Sequence, residues 1–301
     1  MMWVALAFTS AALLGCYDFF KKVSLKENAV IPVLFLNTLF SALLFLPFIV
    51  MSQAGIIDEG MFHVPTAGVK EHLFLVQKAI IVLSSWICGY FAMIHLPITI
   101  VAPIQATRPV MVLLGALLIF GEQLNLYQWI GVTVAIASFF LLSKSGKQEG
   151  IDFSHNRWVM LVVAAAMLGA VSALYDKFLM SFLNPMLVQS WFNIYQATMM
   201  AMVMVLLWMP IRKKSTPFKW RWSILLISLF LGAADFCYFS ALAEEDALIA
   251  VVSMIRRGSV IVSFTFGALI LREKNLKNKA IDLLLILIGL FFLYLGSKRK
   301  N

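Results

Sequence analysis

Gly115-Ala-Leu-Leu-Ile-Phe-Gly-Glu122 and Gly267-Ala-Leu-Ile-Leu-Arg-Glu273 are two versions of one segment, and their glutamates stand 151 residues apart in a chain of 301. Each closes a long apolar run and is followed by a short polar hairpin and one last run. That last run opens with Gln128-Trp-Ile-Gly131 in the first half and Lys279-Ala-Ile-Asp282 in the second. Two earlier matches keep the same order: Gly15-Cys-Tyr-Asp18 with Ala173-Leu-Tyr-Asp176, and Gly89-Tyr-Phe91 with Cys237-Tyr-Phe239. An ordered recurrence over half the chain reads as a duplicated unit.

The composition says what surrounds that unit. The chain is 62% hydrophobic and 13% charged, with a mean hydropathy of +0.91. Soluble domains are about half apolar and about one-quarter charged, so a soluble globular protein, a nucleic-acid binder and a disordered chain all fit poorly. A net charge of +9 would suit nucleic acid. The basic residues, however, sit mainly between apolar runs, which points to membrane topology and to anionic lipid instead.

A bilayer-spanning helix takes about 20 mostly apolar residues. Ten runs qualify: 3–20, 31–51, 79–96, 98–120, 126–142, 158–180, 186–209, 222–242, 247–271 and 280–296. They are continuous and twice the length of barrel strands, so the expected fold is an all-α membrane bundle. The repeat divides it into residues 3–143 and 158–296, five helices each. An odd number of helices per copy sets the copies in opposite orientations, with a site expected near the midplane between them. The longest connection, 52–78, is too short for a further folded domain.

Cys16, Cys88 and Cys237 lie within apolar runs without CxxC spacing, and His63, His72, His95 and His155 are scattered, so no disulfide framework, metal site or cofactor is expected. Leu13-Leu14-Gly15-Cys16 looks like a lipoprotein cleavage box, but no basic residue precedes it, and the first run reads as a retained span.

The segment ending in Gly121-Glu122, the hairpin after it and the Gln128-Trp129-Ile130-Gly131 helix start resemble the EamA domain of the drug/metabolite transporter superfamily. The resemblance extends over both halves. It implies ten helices in two inverted repeats around a central cavity, working by alternating access, and it implies no particular substrate. The second copy departs at Arg272, before its glutamate, and at Asp282, in the place of the usual glycine.

Loops after spans one, five, seven and nine hold 15 Lys and Arg, against 5 on the opposite face and tail, which predicts both termini outside a cell inner (cytoplasmic) membrane. Three arginines stand deep within apolar runs: Arg108 in span four, and Arg256 and Arg257 in span nine, its repeat equivalent. Each costs about 2.5–3.5 kcal/mol at a helix centre. They are expected either to line a watery cavity suited to a carboxylate or phosphate, or to form interhelical ion pairs. At 100° per residue Gln105 shares a stripe with Arg108, and Ser253 shares one with Arg256 and Arg257. The adjacent arginines diverge, so one is expected to face the cavity and the other a neighbouring helix. Pro103 and Pro109 bracket Arg108 and predict a bend there.

Asp18, Asp176 and Asp235 are the candidate counter-charges or proton-coupling groups. Asp18 is within reach of Lys21 and Lys22. Asp235 has no basic neighbour in sequence, so it either stays protonated or pairs with Arg256 or Arg257. Trp86, Tyr90 and Tyr238, together with Tyr17, Tyr175, Trp191 and Tyr195, are candidate walls for a solute. Glu122 and Glu273 read as hairpin or gate residues at helix ends, and Glu244-Glu245-Asp246 as a solvated turn. The stretch Met199-Met200-Ala201-Met202-Val203-Met204 reads as pliable packing.

The expected function is a secondary transporter for a small anionic metabolite, with membrane lipid as surroundings, no nucleic-acid partner and a monomer or homodimer as the working unit. The alternatives are a flippase for a lipid-linked sugar, an exporter of amphipathic drugs or amino acids, and a purely structural membrane protein. No nucleophile–base pair or paired metal ligand argues for catalysis, so no catalytic residue is assigned.

Overall fold

Continuous apolar runs this long cannot leave their peptide groups unpaired in lipid, so they coil into helices. The computed structural model describes residues 2–108, 110–112, 125–127, 129–131, 133–134, 137, 155–180, 182–243, 255–270 and 276–298, and all regular structure among them is helical. In chain order the helices are α1 (Met2–Leu25), α2 (Val30–Gln53), α3 (Val69–His95), α4 (Ile98–Ala106), α5 (Arg157–Met180), α6 (Pro185–Val203), α7 (Ser223–Ala243), α8 (Ser259–Leu269) and α9 (Leu276–Lys298). Five segments are long and apolar enough to cross a bilayer: Trp3–Leu25, Val30–Gln53, Val69–His95, Arg157–Asp176 and Pro185–Ile211. Ile98–Val112 and Ser223–Tyr238 are shorter apolar helices. Span five, expected at 126–142, falls mostly outside the described residues, and those described within 126–137 are helical.

The helix starts are locally encoded. Asn156 Oδ1 accepts from Trp158 N at 2.9 Å at the head of α5. Asn184 Oδ1 accepts from Met186 N at 2.8 Å at the head of α6, where Pro185 has no N–H in need of an acceptor. α6 continues through a π-turn at Met204–Trp208, which begins at the last residue of the methionine-rich stretch, and a 3-10 turn at Met209–Ile211.

The assignment of basic residues to loops needs correction, since Lys70, Arg157, Lys277 and Lys279 lie in helices, as do three residues nearer the centre of the bundle. Lys78, counted among loop residues, lies within α3 and is only 5% exposed. Lys21 and Lys22, counted with the loop after span one, belong to α1. All three find partners, which is why an otherwise apolar helix tolerates them. Lys78 pairs with Asp176 of α5 and lies 4.8 Å from the Phe192 ring centre. Lys22 Nζ donates to the carbonyls of Met93 and Leu96 at 2.5 and 2.6 Å, closing the C-terminal end of α3.

The helices pair reciprocally. α1 packs on α7, and α5, its counterpart in the repeat, packs on α3, the counterpart of α7. In the same way α2·α7 is matched by α6·α3, and α1·α8 by α5·α4, while α2·α6 and α4·α8 pair a helix with its own counterpart. Small residues permit these crossings. Ser10 Oγ of α1 donates to Ala234 O of α7 at 2.6 Å, and Ser85 Oγ of α3 donates to Ala165 O of α5 at 2.7 Å. Where α1 meets α8, a Cβ on Gly15 would collide with the Val262 side chain and come within 2.9 Å of Ser259 O. At the matching α5·α4 crossing, a Cβ on Gly169 would lie 2.6 Å from Arg108 Cζ.

Gly15→Ala is therefore expected to force α1 from α8 and to cost about 1–3 kcal/mol, read as a lowered melting temperature of the purified protein. Asp176→Asn leaves the Lys78 ammonium buried with a weaker partner and is expected to cost about 1–3 kcal/mol. Adding Lys78→Met to Asp176→Asn should recover most of the loss. A double variant as unstable as the single one would show that the pair is not what the single variant disturbs.

Candidate functional site

The helices that meet between the halves are interrupted where the arginines sit. α4 ends at Ala106, Thr107 forms a turn with its N–H directed to Ile104 O at 3.2 Å, and helix resumes at Arg108. The Thr107 hydroxyl also donates to Ile104 O, at 2.7 Å. Pro109, outside the described residues, has no N–H for the carbonyl of Gln105, which is the local chemical reason for a break. In the second half, residues 255–257 are helical, Gly258 turns with its N–H on Ile255 O at 2.9 Å, and α8 follows. Thr107 and Gly258 are 151 residues apart, the spacing of Glu122 and Glu273, so both breaks fall at one position of the repeat. Arg108 directly follows the first break and Arg257 directly precedes the second.

Around the breaks the charges converge. Arg256 pairs with Asp235 of α7 and lies 4.2 Å from the ring centre of Tyr238, on the same helix. Asp18 of α1 takes Lys21 Nζ at 2.7 Å and lies 3.4 Å from Ser263 Oγ of α8. Lys21 Nζ is 4.3 Å from the ring centre of Tyr17 and 5.5 Å from that of Tyr90. Arg108 lies within electrostatic range of Asp18 and Arg256, and Arg257 within range of Arg108, Arg256 and Asp18. Four cations thus share two carboxylates among the described residues. Arg108 and Arg257 are left with no carboxylate of their own.

Polar atoms at the centre are also unspent. Gln105 Oε1, Arg108 Nε and Arg256 Nε are closed off from solvent and have no hydrogen-bond partner among the described residues. Buried polar atoms without partners are costly, and a place where three gather is suited to a polar ligand. Gly89 of α3 faces this place, where a methyl group would stand 3.9 Å from Gln105 Nε2, in ordinary contact.

The other sequence candidates are spread more widely. Tyr90 is 1% exposed, and its hydroxyl accepts from Asn37 Nδ2 at 3.1 Å, so it stands behind the charges rather than open among them. Trp86 packs against the main apolar core. Tyr238 joins Trp3, Leu6 and Ile255 around Ala7 and Ala241. Asp176 is held by Lys78 on α3, apart from the arginines. Tyr175, Trp191 and Tyr195 line a separate apolar cluster, where Tyr195 Oη lies 2.9 Å from His72 Nδ1. Ser253, Glu122, Glu273 and the acidic turn 244–246 lie outside the described residues. Among the described residues, no group of three His, Cys, Asp or Glu is placed to hold a metal.

Sequence reasoning missed Asn37, Ser263 and Gly169. Asn37 was legible as the lone amide in the apolar run 31–51. Ser263 stands seven positions after Arg256, on the same face of an ideal helix. Gly169 carried no sequence signal, since only packing brings Arg108 against it.

A solved structure described only as the crystal structure of a protein is similar in fold. It has a TM-score of 0.64 at 15% identity, covering 99% of this chain and 99% of that one. In all, 23 chains of solved structures match. No curated protein matches the chain. The model of the EamA-like transporter family matches residues 1–144 and again 156–295. That double match spans nearly the whole length, on helices long and apolar enough to cross a bilayer: this multi-pass membrane protein belongs to the EamA-like transporter family.

Proposed function

We propose that the chain moves a small anionic metabolite, bearing a carboxylate or phosphate, across the inner membrane by alternating access. In this reading ten helices form two inverted halves, residues 3–143 and 158–296, with the site between them. The observation that carries it is the charge imbalance at the helix breaks: among the described residues, Arg108 and Arg257 have no carboxylate of their own beside the pairs Arg256–Asp235 and Lys21–Asp18. Guanidiniums keep their charge, and their planar forks match carboxylate and phosphate oxygens. An arriving anion neutralises the two spare cations and competes with Asp235 for Arg256. Tyr238 and Gln105 supply the neutral wall.

The reciprocal helix pairing supports the alternating motion. Exchange of the two halves maps α1·α7 onto α5·α3 and α1·α8 onto α5·α4, so a tilt that opens one set of crossings can close the equivalent set. At the breaks beside Arg108 and Arg257 the backbone turns on i,i+3 bonds, Thr107 N to Ile104 O and Gly258 N to Ile255 O, and these are the places where such a tilt is proposed to bend the helices.

The test is thermal stability of the purified protein against carboxylates, phosphosugars, nucleotides and amino acids, because a ligand that binds the native state raises the melting temperature by mass action. An anion is expected to stabilise the wild type and to bind Arg108→Ala and Arg257→Ala about tenfold to a hundredfold more weakly. Stabilisation only by neutral or cationic solutes, or an equal response of all three proteins to an anion, would overturn the proposal. Asp235→Asn removes the internal competitor for Arg256 and is expected to tighten anion binding, measured in the same assay.

A further inference from the structure

The surface of the bundle carries an apolar groove that none of the charged residues of the candidate site lines. It runs between α2 and α7 and is lined by Phe40, Leu43, Leu44, Leu225, Ser228 and Leu229. The four leucines are well exposed, as expected of a face turned to lipid. At one end of the groove, beyond Leu229, Gly232 of α7 lies beside Leu44, where a methyl group would make ordinary contact with Leu44 Cδ1 at 3.6 Å. The other end opens at the head of α7. There the Phe40 ring meets Trp220 edge-on at 6.3 Å, and Trp222, 74% exposed, packs against Trp220. Tryptophans in this setting mark the headgroup level of a bilayer.

The mouth is strongly basic. The connection between α6 and α7 carries Arg212, Lys213, Lys214, Lys219 and Arg221 and no acidic residue. Lys219 and Arg221 are partly spent. Lys219 Nζ is 3.6 Å from Glu27 Oε2, and Arg221 Nη1 donates to Val23 O at 2.6 Å. The backbone of Lys219 is bonded on both sides by Asn28, which holds this connection over the α1–α2 turn. Arg212, Lys213 and Lys214 are exposed. An aliphatic trough thus starts at a tryptophan pair, and the connection that carries this pair also carries three exposed cations, so one amphiphile matches both features at once.

We propose that this groove is a binding site for one anionic phospholipid, with an acyl chain lying between α2 and α7 and the phosphate on Arg212, Lys213 and Lys214. A zwitterionic lipid meets the same trough but gains little from the cations. A free phosphate ester meets the cations and leaves the trough empty. The lipid also clamps the second helix of the first half to the third helix of the second half, so its occupancy stabilises the contact between halves.

The test uses the full-length protein in detergent, with native mass spectrometry and melting temperature as readouts. The probes are phosphatidylglycerol, phosphatidylcholine with the same chains, and soluble glycerol phosphate. One phosphatidylglycerol is expected to be retained with about tenfold preference over phosphatidylcholine, since each cation near an anionic headgroup adds to the attraction. The triple change Arg212→Gln, Lys213→Gln and Lys214→Gln, in an exposed connection where folding is not at risk, should abolish the preference. Leu229→Trp, or Leu225→Trp at the other end, fills the trough and should weaken retention of phosphatidylglycerol at least tenfold while glycerol phosphate stays without effect. Equal retention of the two lipids, an unchanged preference in the triple variant, or undiminished retention in both tryptophan variants would overturn the site. Protection by glycerol phosphate equal to that by the lipid would show an anion site with no chain in the groove, and would overturn it too.

Discussion

A charge inside a bilayer has to be paid for by a partner or by water, and this constraint organises the centre of the molecule. Arginine cannot escape by losing its proton, as a buried carboxylate can. Arg256 meets the requirement with Asp235 and Tyr238, and Lys21 meets it with Asp18 beside Tyr17. Lys78 meets it far from the other two, with Asp176 and Phe192. Lys21 and Asp18 are three residues apart on α1, but the pairs Arg256–Asp235 and Lys78–Asp176 each join two helical segments and need them at fixed separation and register. The charges are therefore as much a constraint on the packing of the two halves as the packing is on the charges.

The packing around them relies on the absence of side chains. Ser10, Ala234, Ser85 and Ala165 let helices of opposite halves come close enough for a hydroxyl to reach a backbone carbonyl. Gly15 and Gly169 serve the two equivalent crossings of α1 with α8 and of α5 with α4. The second of these glycines faces the Arg108 guanidinium itself, so the same close approach that joins the halves also shapes the space beside that cation. Helix breaks at Thr107 and Gly258 complete the pattern, because they set Arg108 and Arg257 at interruptions of the helices rather than on their regular surfaces.

Much of this was legible in advance, for identifiable reasons. A helix announces itself through a property summed over about 20 residues, so α1, α2, α5, α6 and α9 fall where the apolar runs lie, with ends moved by a few residues. α3 begins ten positions ahead of its run, because Lys70, Glu71 and Lys78 lower the average without interrupting the helix. Lys78 was consequently read as a loop residue, when its partner Asp176 lay 98 positions away. Pro103 and Pro109 pointed to the break near Arg108. The break at Gly258 had no proline to announce it, and its position follows only from the repeat.

The sequence by itself determined that the chain is helical and membrane-spanning, that it is built twice from one unit, and that cations stand inside its spans. Hydropathy, motif spacing and residue type are properties of the chain alone. Tertiary structure decided which cation is satisfied and which is not. Arg256 reaches Asp235 across 21 positions and Ser263 lies beside Asp18 across 245. Such partnerships depend on helix rotation and crossing, which in turn depend on where glycine, alanine and serine let backbones touch. The spare guanidiniums at the centre, and the oily groove beneath a basic mouth at the edge, are consequences of that packing.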